Sequence, residues 1–316
     1  MEAEKSYIHI GNAGELKPPV RFLYRVLEIF PGLLSWGTII GLFALSYFNP
    51  TFVAIFIIIF DVYWLSKSVR FSIRLLASYK EIKRRTKVNW LKELEHSFGE
   101  KYLDYYHLVV FPTYNEDYAL IRSTFQSLLK SNYPLDRLIV VLATEKHIPD
   151  QSKIVGEKIK EEFGDKFFKF LITEHPAGLE GEIPGKGSNE KWGTKRAVEK
   201  IIDPMGISYD KVLVSVFDID TRPFPDYFGI LMYEFFKQDN PLRRSYQPIP
   251  VFHNNIWKLP AFSRIVAFST TFWQMMQQKQ ESDRGWGQRC CTEYNRGYHN
   301  SRFLHHSAQY LVYHKL

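Results

Sequence analysis

The 316-residue chain is 45% hydrophobic and 16% aromatic, ample for one large domain or two modest ones, which excludes global disorder. Its formal charge of +7 is concentrated: Lys67, Arg70, Arg74, Lys80, Lys83, Arg84, Arg85 and Lys87 fall in one stretch opposed only by Glu81. A single basic collar argues against nucleic acid as a partner, and the adjacent Cys290 and Cys291 supply neither a disulfide framework nor metal-ligand spacing.

Residues 1–28 form a short N-terminal segment that carries Lys17, Arg21 and Arg25. The apolar run that follows, Leu33 to Phe48, extends back through Ile29-Phe30, stops at Asn49-Pro50 and resumes from Thr51 to Leu65. Each half is near the length that crosses a bilayer core of about 30 Å. Proline disfavours helix at the residue before it, so residues 29–66 are expected to form a transmembrane helical hairpin turning at Asn49-Pro50. Tyr63 and Trp64 suit a membrane interface, and Asp61 reads as an interfacial carboxylate near the end of the second helix, with a functional intramembrane acid as the alternative. Two helices buried in a soluble core have the same composition, so that alternative stays open. With basic residues on both flanks, the positive-inside rule places both ends of the hairpin on the cytosolic face. A cleaved signal peptide fits poorly, because the run starts late and lacks a small-residue cleavage site.

Residues 67–100 mix basic and apolar positions, with Val69, Phe71, Ile73, Leu75, Leu76, Tyr79 and Ile82 among the cations. This pattern predicts a basic amphipathic segment lying on membrane lipids, with a plain solvated helix as the alternative.

From Tyr105 the pattern changes. Runs rich in valine and isoleucine at His107–Phe111, Leu138–Leu142, Phe168–Ile172 and Val212–Phe217 predict strands. Between them, Tyr118–Leu129, Gln151–Phe163 and Lys191–Ile202 have apolar residues at helical spacing. Alternating strands and helices imply an α/β fold, a mostly parallel sheet with flanking helices, in which ligands bind beyond the carboxyl ends of the strands. The first strand leads into Pro112-Thr113-Tyr114-Asn115-Glu116, the second into Glu145, and the fourth into Asp218-Ile219-Asp220. Acidic residues after strands are often mere turn formers or helix caps, but here they recur where a ligand should bind. Asp218 and Asp220, two apart, project to one face of an extended segment. If the chain bends there, both reach one hard divalent cation. The glycine-rich stretch Pro176–Gly193 carries Lys186 and Asn189, suited to charge and hydrogen bonds at a diphosphate, yet lacks the P-loop spacing.

These features, in this order, resemble the family 2 glycosyltransferases, over about residues 105 to 275. The resemblance implies a GT-A fold for a catalytic domain at 101–278, a nucleotide-diphosphate-sugar donor, and inverting transfer to a lipid-linked or polysaccharide acceptor. By the same resemblance Thr113, Tyr114 and Glu116 line the nucleoside pocket. Glu145 stands where an aspartate often serves the base. Lys186 and Asn189 lie near the diphosphate and sugar. Asp218 and Asp220 hold Mg2+ or Mn2+, with Asp218 also at the donor. One part of the pattern is missing. Inverting transfer needs a general base, and no Asp/Glu-Asp pair follows Asp220; Glu281, Asp283 and Glu293 stand in an unfamiliar context. A catalytically incomplete protein that binds nucleotide-sugar without transfer is therefore the alternative. Residues 279–316 form an atypical tail with both cysteines, His299, His305, His306 and His314, expected to be a non-native continuation such as a shifted reading frame gives.

Overall fold

The computed structural model describes residues 14, 16–146, 150–179, 182, 185–243, 246, 248–249, 251 and 256–283, with 150–152, 243, 258 and 276–283 described in backbone alone. They divide into two compact units. One comprises the described residues up to Ile73 with those of 179–183, the other the remainder.

Two helices dominate the first unit, α1 (Pro18–Phe48, 31 residues) and the greater part of α2 (Pro50–Arg85, 36 residues). Pro18 and Pro19 occupy the first turn of α1, where a missing N–H costs nothing. At Asn49, before Pro50, the chain turns extended (φ −145°), and its Oδ1 accepts from the Phe52 amide at 3.1 Å to cap α2. The expected break is therefore a single residue. Both helices are long and apolar enough to cross a membrane. No residue of α1 is buried, and α1 and α2 make no extended contact with each other. Both overrun the expected limits of 29–66, because no Gly or Pro interrupts the sequence between Val20 and Glu28 or between Ser66 and Arg85. The basic collar from Lys67 to Arg85 is thus part of α2, with Lys87 just beyond it, rather than an element of its own. A shorter helix, α3 (Trp90–Phe98), completes the stretch to residue 100; Asn89 caps it and Gly99, at φ +66°, ends it.

The second unit is built on β1 (Tyr106–Pro112), β2 (Leu138–Glu145), β3 (Lys169–His175) and β4 (Val212–Val216). They pair in the order β3-β2-β1-β4, all parallel. One face of the sheet, with Val109, Phe111, Val140 and Leu142, packs on Ile121 and Phe125 of α4 (Tyr118–Leu128) and Ile159 and Phe163 of α5 (Asp150–Phe163). Leu108, Val110, Ile139 and Val141 on the other face meet Ala197 of α6 (Lys186–Ala197) and Ile201 and Ile202 of the π-helical turn after it. Burial on both faces explains why the strands are near-continuous apolar runs without alternation. Among the described residues two further α-helices follow β4, α7 (Tyr227–Phe236), which packs on α3, and α8 (Ala261–Asp283). The α/β class and the parallel sheet flanked by helices agree with the sequence-based expectation. From position 284 the tail lies outside the described residues, and so do the side chains of Glu281 and Asp283.

Candidate functional site

Four parallel strands put four carboxyl ends on one edge of the sheet. From β1 the chain crosses to β2 on one side, while β4 returns to pair on the other side of β1. Such a reversal leaves a crevice between the ends of β1 and β4, the usual ligand position in open α/β sheets. Thr113 leaves β1 at that point and Asp218 lies just beyond β4.

Glu116 shapes the first of these turns. Its carboxylate accepts from Thr113 Oγ1 at 2.6 Å and from the Tyr114 amide at 2.8 Å, folding the loop back on itself. Asp117 then caps α4 by accepting from the Leu120 amide at 2.7 Å. Thr113 is buried, whereas Tyr114, next in the same turn, is 53% exposed. The carboxylate of Glu116 is thus committed to the turn, a task that its spacing alone did not reveal.

The Asp218–Asp220 segment is held from below. Ile219 is buried and its carbonyl accepts from Thr124 Oγ1 of α4 at 2.6 Å. Arg222 donates to Ser123 Oγ at 3.0 Å, and the Asn132 amide donates to the Pro225 carbonyl at 2.8 Å. A turn closes here, because the Thr221 amide donates to the Asp218 carbonyl at 2.8 Å. The motif therefore lies in a bend rather than on an extended strand, with Ile219 anchored inward between the two aspartates. The Asp218 side chain is 63% exposed.

Lys186 opens α6, and its ammonium is ion-paired with Asp218. That pair joins the glycine-rich stretch to the β4 exit. The cation also lies 3.7 Å from Glu190, one turn along the helix. Glu190 is half-buried, and burial raises its carboxyl above the ordinary range although Lys186 pulls it back down. Glu190 escaped the sequence reading; its only signal is the four-residue spacing from Lys186.

Asn189 is buried, 1% exposed, and its Nδ2 donates to the Ala143 carbonyl at 2.8 Å. The same carbonyl accepts from the Thr113 amide at 2.9 Å. Asn189 therefore ties α6 to the ends of β2 and β1, and does not stand open beside Lys186. Glu145 ends β2 in register with His175 of β3. With neighbouring strands about 4.8 Å apart, β2 lies roughly 10 Å across the sheet from β4. Of the expected residues, the structure brings Thr113, Tyr114 and Glu116 together at one turn and Lys186 to Asp218 at another.

Asp218 and Asp220 are carboxylates, the ligand type that Mg2+ or Mn2+ takes, and Asp218 is already ion-paired with Lys186. Among the described residues no group of three or more His, Cys, Asp or Glu is placed to hold a metal ion. A cation here would need further oxygens from its ligand and from water. No protein-family model matches the chain, and no curated protein matches it.

Proposed function

We propose that this chain is a membrane-anchored glycosyltransferase of the family 2, GT-A type. It moves a sugar from a nucleotide-diphosphate donor to a lipid-linked or polysaccharide acceptor at the cytosolic face. One observation carries the reading: the chain leaves β1 through Thr113–Glu116 and its neighbour β4 through Asp218–Asp220 on the same edge of the sheet, with Lys186 drawn against Asp218. Tyr114 offers a ring on which a nucleobase can stack. Lys186 is one side-chain swing from exchanging Asp218 for a diphosphate oxygen. Asp218 and Asp220 would hold Mg2+ or Mn2+, which supplies charge neutralisation at the departing diphosphate. The two apolar helices supply the anchor, with the basic end of α2 on the cytosolic side.

A second reading, donor binding without transfer, has its own observation. Asp226 accepts from Asn132 Nδ2 at 2.9 Å, and Glu234 is ion-paired with Arg85, so these two carboxylates after Asp220 serve structural contacts. The test is nucleoside-diphosphate release from a panel of nucleotide-sugars by membranes carrying the chain. Release that needs Mn2+ and is lost in the Asp218→Asn, Asp220→Asn double variant supports transfer. Metal-dependent binding with no release would support the second reading, and neither binding nor release would overturn both.

A further inference from the structure

We propose that the outer face of α8 lies on an anionic phospholipid bilayer, at the boundary of headgroups and acyl chains. The inference rests on the membrane anchorage proposed above and adds a second contact, made by the sheet-bearing unit itself.

The helix is two-faced. Ala267, Thr271 and Met275, four residues apart, lie inward, and Thr271 and Met275 are buried. Phe262, Ile265, Val266, Phe272 and Trp273 lie on the opposite side, and Phe262 is 77% and Ile265 63% exposed. Their offsets of three, four, ten and eleven residues follow one helical stripe, about 16 Å long at 1.5 Å per residue. Trp257, just before the helix, is also 70% exposed. Water-soluble monomers rarely leave a continuous aromatic patch of this size uncovered.

Charge and continuity identify what covers it. Between Ala261 and Met275 there is no acidic residue, and the one charged side chain is Arg264. Ser78 Oγ of α2 donates to the Met275 carbonyl at 2.8 Å in a buried contact, tethering α8 to the basic end of α2. Exposed Lys80 and Lys83 follow on that helix within two turns of the tether. An aromatic and aliphatic stripe without acidic residues, on a helix tethered to a basic segment, is the composition that suits an anionic interface. The same α2 carries, toward its amino end, the second apolar stretch of membrane-crossing length, so the helix that holds α8 is one that meets lipid under the proposed anchorage.

Full-length protein with Cys290→Ser and Cys291→Ser, reconstituted in phosphatidylethanolamine–phosphatidylglycerol vesicles, allows a direct test. Nitroxide labels are placed at Phe262→Cys, Ile265→Cys and Trp273→Cys, with Ile40→Cys on α1 and Glu157→Cys on α5 as references. These side chains are exposed, so labelling should leave the fold intact, which circular dichroism checks. Collisions with oxygen should exceed those with a water-soluble nickel chelate at the three α8 positions and at Ile40, and the order should reverse at Glu157. In vesicles of phosphatidylcholine alone, the oxygen preference should weaken on α8 and persist at Ile40; an unchanged preference on α8 would overturn the anionic assignment. Nickel preference on α8 with oxygen preference at Ile40 overturns the α8 contact alone and leaves the anchor standing. Exclusion of both reagents on α8 also overturns it, spin–spin broadening then marking a second copy and its absence marking this chain's own residues. Nickel preference at Ile40 as well would sink the anchor and this inference together.

Discussion

At Gly193 the backbone of α6 lies so close to the sheet that a Cβ would stand 2.9 Å from the Ala143 Cβ and 3.4 Å from Thr173 Oγ1. Neither neighbour is the loose end of a long side chain, so one added methyl has nowhere to go. Gly193→Ala should cost about 1–3 kcal/mol, read as a lower urea midpoint in detergent, and should loosen the helix that presents Lys186. His107, near the amino end of β1, is a different kind of constraint. Its ring packs between Tyr133 and Phe228, with centroids 4.9 and 4.8 Å away, and burial lowers its pKa from 6.5 to about 3. Above pH 6.5 the imidazole is neutral in both the native and unfolded chain and adds no slope. Between 6.5 and about 3 only the unfolded chain takes the proton, so stability falls as pH is lowered. The loss approaches about 1.4 kcal/mol per pH unit in that window. His107→Phe should flatten the dependence of the urea midpoint on pH below 6.5, and an unchanged slope would refute the assignment.

Among the elements, legibility in the sequence followed burial. Strands sealed on both faces, such as Leu138–Ala143, show as unbroken valine and leucine runs and were placed within a few residues. The amino end of α6 was not. Lys186–Gly193 includes Gly187 and Gly193, poor helix formers, and the expected helix began at Lys191. Contacts across the sheet, Gly193 on Ala143 and Asn189 on the Ala143 carbonyl, make up for weak local preference. The apolar stripe of α8 was also missed, because exposed phenylalanines have the same letters as buried ones. Of the candidate site, the strand exits at Thr113 and Asp218 were readable from spacing. The inward anchoring of Ile219 was not, since its partner Thr124 is 95 residues away. Thr124→Val should leave the Ile219 carbonyl unsatisfied at a cost of about 1–3 kcal/mol. It should also weaken Mn2+-dependent donor binding, with calorimetric titration as the readout. Equal affinity for donor would show that the Asp218–Asp220 bend does not need that bond.

For the whole molecule, sequence and structure agree on two long apolar helices ahead of a parallel α/β sheet. Orientation belongs to the proposal, which puts Lys87 on the cytosolic face; alkaline phosphatase fused after Lys87 should be inactive, and an active fusion there reverses the topology. The central claim concerns the crevice between β1 and β4. Thermal unfolding of the purified full chain against a panel of nucleotide-sugars, with and without Mn2+, addresses it most directly. The account predicts that at least one nucleotide-sugar raises the melting temperature when Mn2+ is present. The shift should disappear in the Asp218→Asn, Asp220→Asn double variant, whose unliganded melting temperature stays near that of the parent. A shift that survives both substitutions, or the absence of any shift across the panel, would contradict it.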